Sequence, residues 1–144
     1  MKSNIKLKIT LPKIPDIELV AVEGLERMGQ YLGIDENIIG EAKIVVTEAI
    51  INGFEHSGTE NQHVNIEFRM TKEELTILVA DQGKGFNPAE IEEPAISKKI
   101  TSNNKRGWGI KLMKSLSDDL KIESGPTGTK ISIVKKLTSG KSNE

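Results

Sequence analysis

The chain has no cysteine, only five aromatic residues among 144 (one Trp, one Tyr, three Phe), and no charge excess beyond a formal net −1. Without thiols, disulfide scaffolds, zinc ribbons and cysteine nucleophiles are excluded, and no oxidising compartment is implied. A cytoplasmic location is expected. Near-neutral charge with few stacking platforms argues against direct nucleic-acid binding, which calls for a basic surface and aromatic rings. No apolar run approaches the ~20 residues of a membrane span, and the opening Met1-Lys2-Ser3-Asn4-Ile5-Lys6 lacks the apolar segment of a secretory signal. No membrane association is expected. A chain of this length buries roughly two-thirds of its unfolded surface, enough for one core without covalent or metal staples. The expectation is a single domain over residues 1–137 and a disordered tail over 138–144.

What is present is strongly patterned. Ile5, Leu7, Ile9 and Leu11 alternate with Lys6, Lys8 and Thr10, the period of a strand with one buried face, and Pro12 and Pro15 end it. Asp16 is placed to cap a helix over 17–32 closed by Gly33, and Asp35 to cap a second helix running through 38–54. Val64, Ile66 and Phe68, then Leu75, Ile77 and Val79, alternate around the polar turn Thr71-Lys72-Glu73-Glu74, which predicts an antiparallel hairpin. Asn87-Pro88-Ala89-Glu90 has the signature of a short helix start, and 93–106, with Lys98, Lys99, Lys105 and Arg106, reads as a basic loop. A third long helix is expected over 107–117, followed by strands at 120–123 and 130–137 joined through Gly125-Pro126-Thr127-Gly128. Hairpin-paired strands with grouped helices predict an α+β fold with the helices on one sheet face.

Three segments carry chemistry. On a helical projection of about 100° per residue, Glu41, Glu48, Asn52 and Glu55 fall in one stripe roughly 60° wide. Ile44 and Ile51 flank it on one side and Ile38, Ala42 and Val45 on the other, with Glu36, Lys43 and Thr47 nearly opposite. A carboxylate and a carboxamide four apart among apolar neighbours are costly unless something satisfies them. They suit a site for a hydrated cation, with Asn52 as oxygen ligand and Glu48 accepting a proton; magnesium needs few protein ligands when phosphates and water supply the rest. A helix edge reaching water is the bland alternative. Asp81, at a strand end, precedes Gln82-Gly83-Lys84-Gly85-Phe86, where two glycines permit a tight turn and close backbone approach to a ligand. Arg106-Gly107-Trp108-Gly109-Ile110 ends the basic stretch and opens a helix, a place suited to phosphate or to a plain charged hinge. No P-loop and no Rossmann fingerprint is present, and His56 and His63 are too few for a histidine metal cluster.

Taken in order, Glu48-Ala49-Ile50-Ile51-Asn52 with Glu55-His56, Asp81 through Phe86, Arg106-Gly107-Trp108-Gly109 and Gly125 through Thr129 resemble the asparagine, two glycine and threonine-bearing boxes of the histidine-kinase-like (GHKL) ATPases. The resemblance implies a Bergerat ATP-binding fold, a two-layer α/β sandwich with a mixed, mostly antiparallel sheet. Within the superfamily the chain looks like the small bacterial anti-sigma factors that are also serine kinases. These are typically cytoplasmic homodimers that sequester a sigma factor and phosphorylate an anti-anti-sigma protein on serine. By resemblance Glu48 is the general base, Asn52 the Mg ligand, Asp81 the acceptor for the adenine amino group and Arg106 the contact to the terminal phosphate of ATP. Glu55, Gly83, Gly85, Lys105, Gly107, Trp108, Gly109, Ile110 and Thr129 complete the implied ATP site. The second glycine box departs from the pattern: Trp108 stands between two of its glycines, which stiffens that segment. Two alternatives share these motifs, an inactive module that ATP merely orders for partner capture and the stand-alone ATPase domain of a split histidine kinase.

Overall fold

The structure, a computed structural model, describes residues 4–55, 63–81, 104–125 and 128–138, with side chains of the third segment described from Trp108 onward. Its elements in chain order are β1 (Ile5–Pro12), α1 (Glu18–Leu32), α2 (Glu36–Glu55), β2 (His63–Met70), β3 (Glu74–Asp81), α3 (Asn104–Leu116), β4 (Asp119–Gly125) and β5 (Gly128–Lys136). The strands form one sheet in the order β1-β2-β3-β5-β4. Every described pairing is antiparallel, so the expected mixed sheet is antiparallel throughout these residues.

Period-two alternation decides the layering. Val64, Ile66, Phe68 and Met70 of β2, Leu75, Ile77 and Val79 of β3, and Ile131 and Ile133 of β5 are buried together with the apolar seams of the helices. The other sheet face keeps Lys8, Thr10, Asn65, Glu67 and Lys130. The helices therefore cover one face, as the alternation requires. Helix α2 is the central one: Ala42, Val45, Val46, Ala49 and Ile50 are fully buried between the sheet and its two neighbours. At the crossing of α1 on α2 a Cβ on Gly29 would lie 2.6 Å from the Ile39 Cδ1, so this glycine is what lets the two helices approach.

Helix boundaries follow the expected punctuation in most places. Asp35 caps α2, its Oδ1 accepting the Asn37 amide at 2.7 Å, and Gly33 ends α1 with φ 72°, a left-handed position that glycine adopts without cost. Asp16 does not cap α1. Its φ of 64° is far from the extended backbone an N-cap needs, and its carbonyl, not its carboxylate, accepts the Leu19 amide at 3.1 Å. Helix α3 begins at Asn104 rather than at residue 107, so Lys105 and Arg106 are helical and not part of a loop. The expected helix start at Asn87, Lys98 and Lys99 of the basic stretch, and the tail beyond Thr138 lie outside the described residues.

Phe68 is fully buried at the centre of the sheet, whereas Tyr31 is 77% exposed on α1. Phe68→Ala is expected to destabilise by about 3–5 kcal/mol, and Tyr31→Ala by no more than about 0.5 kcal/mol. Urea denaturation of both variants checks the assignment of the core.

Candidate active site

The polar stripe of α2 divides. Glu48, Asn52 and Glu55 line one cavity of about 610 Å³ together with Ile51 and, from α3, Trp108, Gly109, Lys111, Leu112 and Ser115. Glu41, expected on the same face, lies two turns toward the helix start and instead forms an ion pair with Lys135 at 2.8 Å. The surroundings of the stripe also differ from expectation. Ala42 and Val45 are buried, but Ile44 and Ile51 are partly exposed, at 43% and 36%, while Lys43 and Thr47, expected opposite, are half-buried, and Lys43 pairs with Glu26 of α1 at 2.9 Å. Helix α2 is apolar over so much of its circumference that periodicity alone could not say which flank faces the sheet.

Within the cavity the two central side chains are in different states. Asn52 is buried, and its Oδ1 has no hydrogen-bond partner among the described residues. A buried carbonyl oxygen left unpaired costs on the order of 1–3 kcal/mol, so Asn52 holds an acceptor that the described residues do not fill. Glu48 is half-buried, and its pKa is raised above the ordinary glutamate value, first by loss of solvent and second by the neighbouring Glu55 carboxylate. Gly109 faces this carboxylate so closely that a Cβ there would sit 2.7 Å from the Glu48 Oε1. Glycine inside a helix costs about 1 kcal/mol relative to alanine, and at residue 109 it provides the room for Glu48.

The Asn52 turn also reaches the end of the sheet. Gly53 packs against Val64 and Val79, where a Cβ would lie 3.4 Å from Val64 Cγ2 and 3.6 Å from Val79 Cγ1. Val64 is the register partner of Asp81. Asp81 is buried at the end of β3 and lines a second hollow of about 390 Å³ with Ala80, Glu123, Ser124, Gly125, Gly128, Thr129 and Lys130. Thr129 is buried there, its Oγ1 2.8 Å from the Ser124 Oγ. The structure thus brings Glu48, Asn52, Glu55, Trp108 and Gly109 into one cavity and Asp81 with Thr129 into a second hollow. Ile110 points elsewhere, half-buried against the core. Gly83 and Gly85 lie outside the described residues, as do the side chains of Lys105 and Arg106; the backbone of Lys105, Arg106 and Gly107 forms the first turn of α3.

Sequence reasoning missed Lys111, Leu112 and Ser115. The spacing of Trp108, Leu112 and Ser115, four and seven residues apart, places them on one helical face and was available as a signal. Lys111 stands over the Trp108 ring, its Nζ 5.7 Å from the centroid. Among the described residues no group of three His, Asp or Glu side chains stands close enough to hold a metal ion. None of the described helices is long and apolar enough to cross a membrane.

An antiparallel sheet covered on one face by three helices, with a buried asparagine and a half-buried glutamate one turn apart on the middle helix, defines a class of nucleotide-binding domain. The chain belongs to the histidine kinase-like ATPase domain family, whose model matches residues 16–135. It is 27% identical over 129 residues to a serine-protein kinase RsbW of Oceanobacillus iheyensis, covering 82% of this chain and 78% of that protein. It is 33% identical over 108 residues to an anti-sigma F factor of Bacillus licheniformis, covering 74% of this chain and 70% of that one. In fold it is similar to a solved Mycobacterium tuberculosis protein with RsbU and RsbW domains, with TM-score 0.69 and 16% identity, over 94% of this chain and 33% of that longer one.

Gly109→Ala is expected to fold, since the obstructing atom is the far end of a flexible side chain, but to displace the Glu48 carboxylate. Thermal melting should move by no more than about 1 kcal/mol. Titration of the Glu48 carboxyl, followed by NMR, should shift relative to the unsubstituted chain.

Proposed function

We propose that the chain is an ATP-dependent protein serine kinase that also sequesters a sigma factor, with an anti-anti-sigma protein as its phosphoryl acceptor. The observation that carries this reading is the buried Asn52 Oδ1, without a partner among the described residues, one turn from the half-buried Glu48 in a cavity that α3 lines from Trp108 to Ser115. The names of the relatives, serine-protein kinase and anti-sigma F factor, support the same reading. Homodimerisation is part of the proposal, on the resemblance to that group.

In this reading Glu48 takes the proton of the incoming serine hydroxyl as its oxygen bonds to the terminal phosphorus of ATP. The bond from that phosphorus to the bridging oxygen breaks, and ADP leaves. Burial and Glu55 make Glu48 a stronger base than an exposed glutamate, which suits proton transfer near neutral pH. Asp81, buried at the strand end, accepts a hydrogen bond from the adenine amino group, with Thr129 beside it, while Gly83 and Gly85 allow the ring to approach. Lys105 and Arg106, in the first turn of α3, serve the phosphates, where the unpaired amides of a helix start and its positive dipole end add to their charge. The residues fit a magnesium ion: the Asn52 Oδ1, without a partner among the described residues, is a hard oxygen, and magnesium takes few protein ligands where phosphate and water supply the rest. When bound, such an ion neutralises charge on the phosphates during transfer. No covalent enzyme intermediate is needed.

Incubation with MgATP and an anti-anti-sigma protein should yield acid-stable phosphoserine on that protein, with transfer reduced on the order of 10²–10⁴-fold in Glu48→Gln. An acid-labile product, or transfer unchanged in that variant, overturns the assignment. Asn52→Ala should abolish the calorimetric signal of MgATP binding.

A raised folded-state pKa also has a stability consequence. The fold favours protonated Glu48, so the stability this group contributes is present below the ordinary glutamate range and is lost as pH rises through the raised value. Glu48→Gln is expected to melt above the unsubstituted protein at about pH 7, and the gap to narrow at about pH 4. In transfer kinetics, Glu55→Gln removes a like charge, lowers the Glu48 pKa and moves the acid limb of the rate profile to lower pH.

A further inference from the structure

Strand β5 turns Thr129, Ile131, Ile133 and Lys135 toward the helices, and all four are buried. The last of these slots, which an aliphatic side chain would fill without cost, holds a cation. Its Nζ donates to the Glu41 Oε1 of α2 at 2.8 Å and to the carbonyl of Leu116, the last residue of α3, at 2.8 Å. The final carbonyls of a helix lack partners within it and sit at the negative dipole end, so a lysine there both completes a hydrogen bond and opposes the dipole. The next residues of the chain are tied to the same strand: the Asp118 amide donates to the Val134 carbonyl at 2.8 Å, and the Asp118 carboxylate accepts the Lys136 amide at 2.7 Å.

We infer that Lys135 is a positioning residue for the Glu48 site, acting through helix α3. Two contacts fix the relation of the helices, Glu41 with Leu116 by way of Lys135, and Glu48 with Gly109 directly. These pairs are seven residues apart on each helix and run in opposite senses, so α2 and α3 lie antiparallel with one register about 10 Å long between the clamp and the cavity. Over two helical turns a shift of α3 at the clamp is carried to Gly109. The clearance there is smaller than a methyl group, so a displacement below an ångström changes where the Glu48 carboxylate can stand. A direct electrostatic effect of Lys135 on Glu48 is the weaker route, since burial and Glu55 are what act on the Glu48 carboxyl and the Lys135 charge already faces Glu41. Stability from the ion pair does not account for the lysine either: its partner Glu41 is half-exposed, and a pair with a solvated member contributes little.

The inference rests on the kinase reading only for the activity that α3 serves, and the clamp itself can be read without nucleotide. Three variants, Lys135→Met, Lys135→Arg and Glu41→Gln, test it, with Trp108, the one tryptophan of the chain, as reporter on α3. Lys135→Met should melt near or above the unsubstituted protein, shift the Trp108 emission, speed amide exchange along 108–116, and lower kcat for phosphoryl transfer on the order of ten- to a hundredfold. Lys135→Arg, which keeps a donor for both oxygens, should restore most of the rate and the emission, and Glu41→Gln should fall between. Unmoved Trp108 emission and exchange in Lys135→Met, or a loss of rate that follows loss of folded protein and is not recovered by arginine, overturns the positioning role. If the unsubstituted chain transfers no phosphoryl group, the kinase reading fails, while emission and exchange still decide whether Lys135 sets α3.

Discussion

Everything in the site depends on helix α2 being packed on three sides. Its seam of Ala42, Val45, Val46, Ala49 and Ile50 is fully buried against the sheet and the neighbouring helices, and the largest of these is an isoleucine. Small buried residues bring the helix axis close to the sheet, and Gly53 continues that approach to the ends of β2 and β3. A helix held this way cannot rotate to relieve a polar side chain on its edge. Asn52 therefore stays buried with an oxygen that no described residue pairs, and Glu48 stays half out of water beside Glu55. The core supplies the energy that keeps those groups in an unfavourable setting, which is the usual relation between a scaffold and its site.

The same constraint explains the glycines and the exposed apolar surface around the cavity. Gly109 costs helix propensity but leaves room for the Glu48 carboxylate where it stands. Ile44, Ile51, Trp108 and Leu112, all partly exposed, lie on α2 and α3, and the last three line the cavity with Glu48. A cleft with apolar walls and a few converging polar groups is the common form of a small-molecule site, and low-dielectric walls strengthen any charge interaction made inside it. The buried Lys135 belongs to the same design at the opposite end of the helix pair, where it ties α2, α3 and β5 at a single atom.

Strands and helix cores were legible because their signals are local. The alternation at Ile5–Leu11, Val64–Phe68 and Leu75–Val79 can bury one face only as strands, and a capping aspartate at 35 or a glycine at 33 acts within a turn. Asp16 misled because a carboxylate before an apolar run has the same appearance whether it caps or turns; the left-handed backbone that removes it from the cap is set by the chain's return from β1. The start of α3 was placed late for a related reason. A basic stretch without acids has no helical signature of its own, yet the helix takes in its last two basic residues.

By itself the sequence determined which residues could meet: the 3.6-residue period places Glu48, Asn52 and Glu55 on one side of a helix, and the two-residue period brings Asp81 to a strand end, because backbone geometry sets both repeats. It also placed Glu41 on that stripe, which is true of the helix and untrue of the site. Only the tertiary structure decided which flank of α2 is covered, that Gly109 rather than a bulkier neighbour faces Glu48, and that Glu41 is taken by a lysine 94 residues away. Those outcomes come from packing between elements distant in the chain, where shape and burial select among arrangements that local periodicity leaves equivalent.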